Sequence, residues 1–554
     1  LDPRPVHYEQ GWQYSDFTSN MYPSLDELSK LDTTTNETAF FPAKVNADGT
    51  EQPKEYKPHF VCEYAHAMGN AIGNLKEYVE LFENSNRIIG GCIWDWADQS
   101  IYDPKLLKTT GEKRLTTGYD YPGPHQGNFC CNGIVTSERD VTPKLDQVSK
   151  VYQYVEFSNY DPATHTLTIK NKYHDTNLNN FYIMWSITID GEEMPIDIKR
   201  RRIFLPDCMP GDSVKIDIPY NPELVAMSGP EYFLNIEMWS KRMKPWGVKS
   251  PSASEQLLIK SGTERTIVDE TYIVSKISCK DDNDKIVIKG EAMEVIFDKA
   301  TASMVSLKYG DTRNLFSDGK GFVFDSYRYI ENDKYEGTDS IVYGDISYKV
   351  LPGKKSVEVT TTAKSEGKCD YKIVYTIYSN GFITMDVKFN PLASGLRRMG
   401  LSCKLLKGMR NVIYYARGPW ENYTDRKVGT YFGVYDDTVE GMEEKYMKPQ
   451  SMGNREGLRY LMLLDGDGRG LRIDVDGRAS FSALRFTDQE LAKLQHVWEL
   501  PDNRRDDIVL HIDYMQRGLG NASCGPDTIE EYQVPSEGEY GYRLLIRPQW
   551  GMPK

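Results

Sequence analysis

From about residue 152 to the end, apolar and polar residues alternate with period two in run after run. Examples are TLTIKNKY (166–173), FYIMWSITIDG (181–191), KIVIKGEAMEVIFD (285–298), KSVEVTTTAK (355–364), YKIVYTIYSNGFITMDVKF (371–389) and GYRLLIRPQ (541–549). A strand turns successive side chains to opposite faces, so this pattern reads as half-buried antiparallel β-sheet. Gly, Asn and Asp punctuate the runs, as in SNGF and DGDGRG, which reads as hairpin turns. Residues 151–262 have the length and strand spacing of an immunoglobulin-like β-sandwich, without its Cys…Trp…Cys signature. Residues 263–277 form a polar linker, and 278–554 imply a large two-sheet sandwich.

The first 150 residues have another texture. HFVCE (59–63) is a short apolar run after Pro58, and IIGGCIW (88–94) is a second. Between them Met68, Ile72, Leu75, Val79 and Phe82 recur at helical spacing, which predicts a helix of about fifteen residues. Strand, helix and strand make a βαβ unit with parallel strands. A chain of 554 residues exceeds one hydrophobic core, so a multidomain protein follows.

Several function classes drop out. No stretch approaches the ~20 apolar residues of a membrane span. The net charge is −14 and Lys and Arg are scattered, which argues against a nucleic-acid partner. Nine cysteines, an odd number without C-x-x-C spacing, point neither to a disulfide framework nor to zinc, and most are expected to be buried thiols. The chain starts at Leu1 without a signal-peptide pattern and reads as an internal start, which leaves its compartment open.

Chemistry is expected where strands end, because loops there shape a pocket. Glu63 closes the run HFVCE, and His66 follows three residues later. The alternative for Glu63 is a helix N-terminal acid favoured by the macrodipole. Trp94-Asp95-Trp96 ends the next strand, and a tryptophan there offers a flat face to the C–H side of a sugar, or simply joins the core. Asn128 to Gly133 (NFCCNG) follows in a glycine-bearing loop that either binds a hard cation or hydroxyl or merely closes the chain.

These segments resemble successive motifs of the large bacterial β-galactosidases of glycoside hydrolase family 2. The resemblance rests on CEYAHAMGN (62–70), GGCIWDWADQS (90–100) and NFCCNGIV (128–135). RPVHYE (4–9), NMYP (20–23), MGLSCKLL (399–406), YYARGPWENYTDR (414–426) and GLGNASCGP (518–526) follow the same order, so it spans essentially the whole chain. It implies that residues 1–150 are the C-terminal half of a (β/α)8 (TIM) barrel, followed by the immunoglobulin-like sandwich and a β-supersandwich over 278–554.

The resemblance also implies roles. Glu63 matches the nucleophile of a retaining mechanism, and Tyr22 the tyrosine that supports it. His66 resembles a ligand of a galactose hydroxyl and Trp94 the platform beneath the sugar. Phe129 and Asn132 match part of a sodium site that receives the sugar's 6-hydroxyl. The implied substrate is a β-galactoside, and the implied assembly is a homo-oligomer when complete.

Two departures stand out. A retaining glycosidase needs two carboxyl groups about 5 to 5.5 Å apart. In the family the second lies in a G-N-E motif beside the magnesium ligands, upstream of the nucleophile, and no G-N-E occurs among the 62 residues before Glu63. The expectation is therefore a fragment lacking its N-terminal domains, its general acid/base and its magnesium ligands, and inactive alone. Cys524 stands where some members stack a tryptophan on the leaving glucose, so the aglycone side is expected to differ. A noncatalytic carbohydrate-binding protein is the alternative reading, and it leaves Glu63, His66, Trp94 and Asn132 unexplained.

Overall fold

The computed structural model describes residues 4–9, 15–33, 57–196, 201–243, 247, 250–333 and 337–551. It is mostly β-sheet and holds three separate large cores. No helix among the described residues is long and apolar enough to cross a membrane.

The first core lies under a parallel sheet of three strands in the order β1 (Thr18–Met21), β2 (His59–Tyr64) and β3 (Ile88–Ile93). Helix α1 (Leu25–Thr33) follows β1, and α2 (Leu75–Asn84) joins β2 to β3. Beyond β3 come α3 (Pro104–Thr109) and α4 (Pro143–Val151). Leu28, Val61, Tyr64, Leu75, Tyr78, Ile88 and Val148 pack together, so strands and helices bury their apolar faces against one another. The βαβ unit is thus present, with a shorter helix than the spacing predicts. Met68 and Ile72 are buried but lie in an irregular segment, with Gly69, Ile72 and Asn74 all at positive φ. Burial alone produced their helix-like spacing.

The second core gathers Val155, Leu167, Ile183, Trp185, Ile216, Leu234 and Ile236 between a three-stranded and a five-stranded sheet. Central in the larger sheet, Phe181–Ile189 pairs antiparallel with Tyr232–Ser240.

The third region departs from two sheets. A nine-stranded, a five-stranded and a four-stranded sheet all contribute to one core, with Val295, Phe297, Tyr375, Met385, Leu401, Phe481 and Leu544 among its members. Hairpins form where the turn residues predict them. Cys369–Tyr378 and Ile383–Pro391 pair antiparallel around Gly381, whose φ of 95° a side chain would resist. Cysteine burial is less uniform than expected: Cys131, Cys208, Cys369 and Cys403 are buried, Cys92 and Cys524 are exposed, and the other three are partly covered.

Candidate active site

The C-terminal ends of the three parallel strands meet in one place. Glu63 is the penultimate residue of β2 and is partly covered. The next helix starts only at Leu75, so Glu63 is not at a helix N-terminus and the macrodipole reading does not apply. Just past the end of β1, Tyr22 donates its backbone N–H to the Glu63 carbonyl at 2.8 Å. Its phenol also hydrogen-bonds the Glu63 side chain. Burial, then this bond, then the charges of Glu63, Cys524 and Asp95 push the phenol's ionisation far up. Tyr22 therefore stays a donor. Its φ of 49° and that of Ala65 at 50° lie in the left-handed region, which costs a non-glycine residue roughly 1–3 kcal/mol.

His66 is buried beside this pair. Its ring meets that of Tyr22 edge-on at 5.7 Å and lies 5.7 Å from Phe129. Burial first, and the charge of Lys144 second, lower its pKa to about 4, so the imidazole is neutral near pH 7. Trp94 follows β3 across a cis peptide to Asp95, and its backbone pairs with Tyr64 and Ala67. Both Trp94 and Trp96 are exposed, at 38% and 60%, so neither belongs to the core. Phe129 is 40% exposed, while Asn132 is buried and donates Nδ2 to the Phe129 carbonyl at 2.6 Å. Asn132 Oδ1 is buried without a partner among the described residues. No group of three or more His, Cys, Asp and Glu gathers as a metal site among them.

Cys524 comes from the opposite end of the chain. Its exposed thiol contacts the Tyr22 phenol, and burial followed by the charge of Glu63 raises its pKa. Adjacent Gly525 approaches the Tyr22 ring so closely that an added Cβ would sit 3.2 Å from it. Neighbouring Ser523 places its Oγ 2.7 Å from His66 Nδ1, and its own N–H donates to Asn332 Oδ1 at 3.0 Å.

The structure thus gathers Tyr22, Glu63, His66, Phe129 and Cys524 through direct contacts, with Trp94 and Asn132 on the adjoining loops. Sequence reasoning missed the residues that hold the 65–74 segment in place. Lys144 from α4 is buried and donates Nζ to the Ala67 carbonyl at 2.8 Å. Asn70 Nδ2 reaches the Tyr423 hydroxyl and the Ser451 carbonyl, both at 2.9 Å. Arg426 donates to the Ala71 carbonyl at 2.7 Å while its other amino group pairs with Glu421 at 2.5 Å. Gly73 faces Asp425 and Gly520 where a Cβ would collide at 2.0 and 2.4 Å. Tyr423, Asp425 and Arg426 fall within RGPWENYTDR and Gly520 within GLGNASCGP, so those motifs contained part of the signal without revealing its target, whereas Lys144 and Ser451 lie outside both.

Comparison with known proteins assigns three consecutive segments. Residues 1–157 match the family described as glycosyl hydrolases family 2, TIM barrel domain. Residues 167–260 match beta-galactosidase, domain 4, and 289–546 match beta galactosidase small chain. A β-galactosidase of Priestia megaterium is 25% identical over 562 residues, covering 98% of this chain and 52% of that protein. One from Lactobacillus delbrueckii subsp. bulgaricus is 28% identical over 535 residues, covering 92% and 49%. The Streptococcus thermophilus enzyme is 26% identical over 569 residues, covering 98% and 53%. The chain spans about half the length of the curated relatives it matches. With the three matches running in chain order over nearly all of its length, the chain belongs to the family 2 glycosyl hydrolases.

Proposed function

We propose that this chain carries the nucleophile and galactose-binding side of a retaining β-galactosidase active site. The observation that supports it most is Glu63 at a strand end with the Tyr22 phenol bonded to its carboxylate. A nucleophilic carboxylate must present one oxygen to the anomeric carbon, and a phenol donor on the other oxygen holds it in that direction. Neutral His66 can exchange hydrogen bonds with a sugar hydroxyl without carrying charge, and the exposed Trp94 face can stack on the sugar ring.

Within this reading, residues 1–150 are the C-terminal half of a (β/α)8 barrel, the next region an immunoglobulin-like sandwich and 278–554 the supersandwich. On the same reading the proton for the leaving oxygen comes from a second carboxyl group, which no G-N-E motif of these 554 residues supplies. A sodium ion fits the remaining donors in part. The partnerless Asn132 Oδ1 and the Phe129 carbonyl are hard oxygens that would hold it, and the ion would supply a point of attachment for a sugar hydroxyl.

A 2-deoxy-2-fluoro-galactoside trap tests the nucleophile in a polypeptide carrying the complete site. Peptide mass spectrometry should find the label on Glu63, and Glu63→Gln should abolish labelling with a rate loss of several orders of magnitude. Label on another carboxylate overturns the assignment. The chain alone should turn over even an aryl galactoside only slightly, and vigorous turnover would reveal an acid among its own residues.

A further inference from the structure

Cys130 and Cys131 form an adjacent pair of thiols that the proposed reaction does not use. Their sulfurs lie 3.6 Å apart, and the Ser100 hydroxyl is 3.0 Å from Cys131 Sγ. Cys131 is buried but lines a cavity of about 260 Å³ together with Asn128, Asp98 and Lys144, while Cys130 is only partly covered. The sulfurs thus face each other, with one side open to a small reagent.

We propose that Cys130 and Cys131 are a reactive vicinal dithiol that low-molecular-weight disulfides oxidise to an intramolecular disulfide. Cys130 Sγ attacks one sulfur of the reagent RSSR and its S–S bond breaks, releasing one RSH that carries the Cys130 proton. Cys131 Sγ then attacks Cys130 Sγ in the mixed disulfide, and the second RSH leaves with the Cys131 proton. The pair is oxidised by two electrons and RSSR is reduced to two thiols, so the exchange balances without another reactant.

Geometry makes the product reversible. Adjacent Cα atoms are about 3.8 Å apart, below the roughly 4.4–6.8 Å usual for disulfides, and such a bond is strained and easily reduced. Strained disulfides have high potentials and are the labile ones. Closure must also reshape the segment that aims the Phe129 carbonyl and the Asn132 amide, because Cys131 donates its N–H to Asn128 and Cys130 accepts from Gln99 at 2.8 and 2.7 Å. Weakened sugar binding follows, a consequence that rests on the proposed galactose reading of those two residues.

The test treats the whole chain with oxidised glutathione, blocks remaining thiols with iodoacetamide and maps the peptide holding both cysteines. The expected peptide is lighter by two hydrogens and carries neither glutathione nor the blocking group. In Cys131→Ser, Cys130 should instead retain glutathione, because the second attacking thiol is gone. Alkylation of both cysteines after oxidation, or glutathione retained on Cys130 in the unaltered chain, overturns the proposal. Galactose titration of reduced and closed chain reads the link to the sugar: affinity several-fold lower when closed and restored by dithiothreitol supports it. Closure with unchanged affinity overturns the link and leaves the dithiol standing. Absence of binding in both forms overturns the galactose reading on which the link rests.

Discussion

Tyr22 and Glu63 are joined twice, once through the Tyr22 N–H to the Glu63 carbonyl at 2.8 Å and once through the phenol to the carboxylate. The backbone bond fixes where the ring can reach, and the side-chain bond orients the carboxylate. Tyr22→Phe removes only the second. A hydrogen bond to a charged group is worth about 1.5–3 kcal/mol, so turnover should fall roughly ten- to hundredfold in a polypeptide with the complete site. Steady-state kinetics decide it, and an unchanged kcat would separate the phenol from catalysis.

Acid should destabilise the first region through its histidines. His59 and His66 are buried, and burial lowers both to about 4 from an ordinary 6.5, with the charges of Arg87 and Lys144 as the respective second causes. A depressed histidine is neutral in the folded chain where the unfolded chain already binds a proton. Its contribution is therefore complete above about pH 6.5 and lost as pH falls toward 4. At about 1.4 kcal/mol per unit, each is worth on the order of 3 kcal/mol. Urea unfolding monitored across that window should show the loss, and His66→Gln should flatten it. A constant difference between the two chains at every pH would remove His66 as a cause.

Cys524 faces the same carboxylate from the far end of the chain, and its exposed thiol offers little flat apolar surface. If the proposed retaining β-galactosidase reading holds, a polypeptide with the complete site should hold glucose weakly there, so water should outcompete transfer to glucose. Cys524→Trp adds a stacking surface worth about 1 kcal/mol, enough to raise the transfer-to-hydrolysis ratio roughly fivefold with added glucose. Cys524→Ser controls for loss of the thiol. A parent enzyme that already transfers efficiently to glucose would mean that another residue forms the aglycone wall.

The sequence by itself determined the elements whose cause is local. Alternation placed the strands of the β-regions, the SNGF hairpin turned where glycine allows positive φ, and the run ending at Glu63 became β2. It also carried the motif residues of the candidate site, since Tyr22, Glu63, His66, Trp94, Phe129, Asn132 and Cys524 could each be singled out along the chain. Tertiary structure alone decided how the site is held. Met68 and Ile72 repeat at helical spacing yet lie in an irregular segment, because Lys144, Tyr423 and Arg426 satisfy that segment's polar groups from other parts of the fold. The Ser523 contact to His66 spans 457 residues of chain. The burial that neutralises His66 and keeps Tyr22 protonated is likewise a property of packing. Hydrogen bonds and desolvation act through space between groups remote in sequence, whereas periodicity reports only which side of its own element a residue faces.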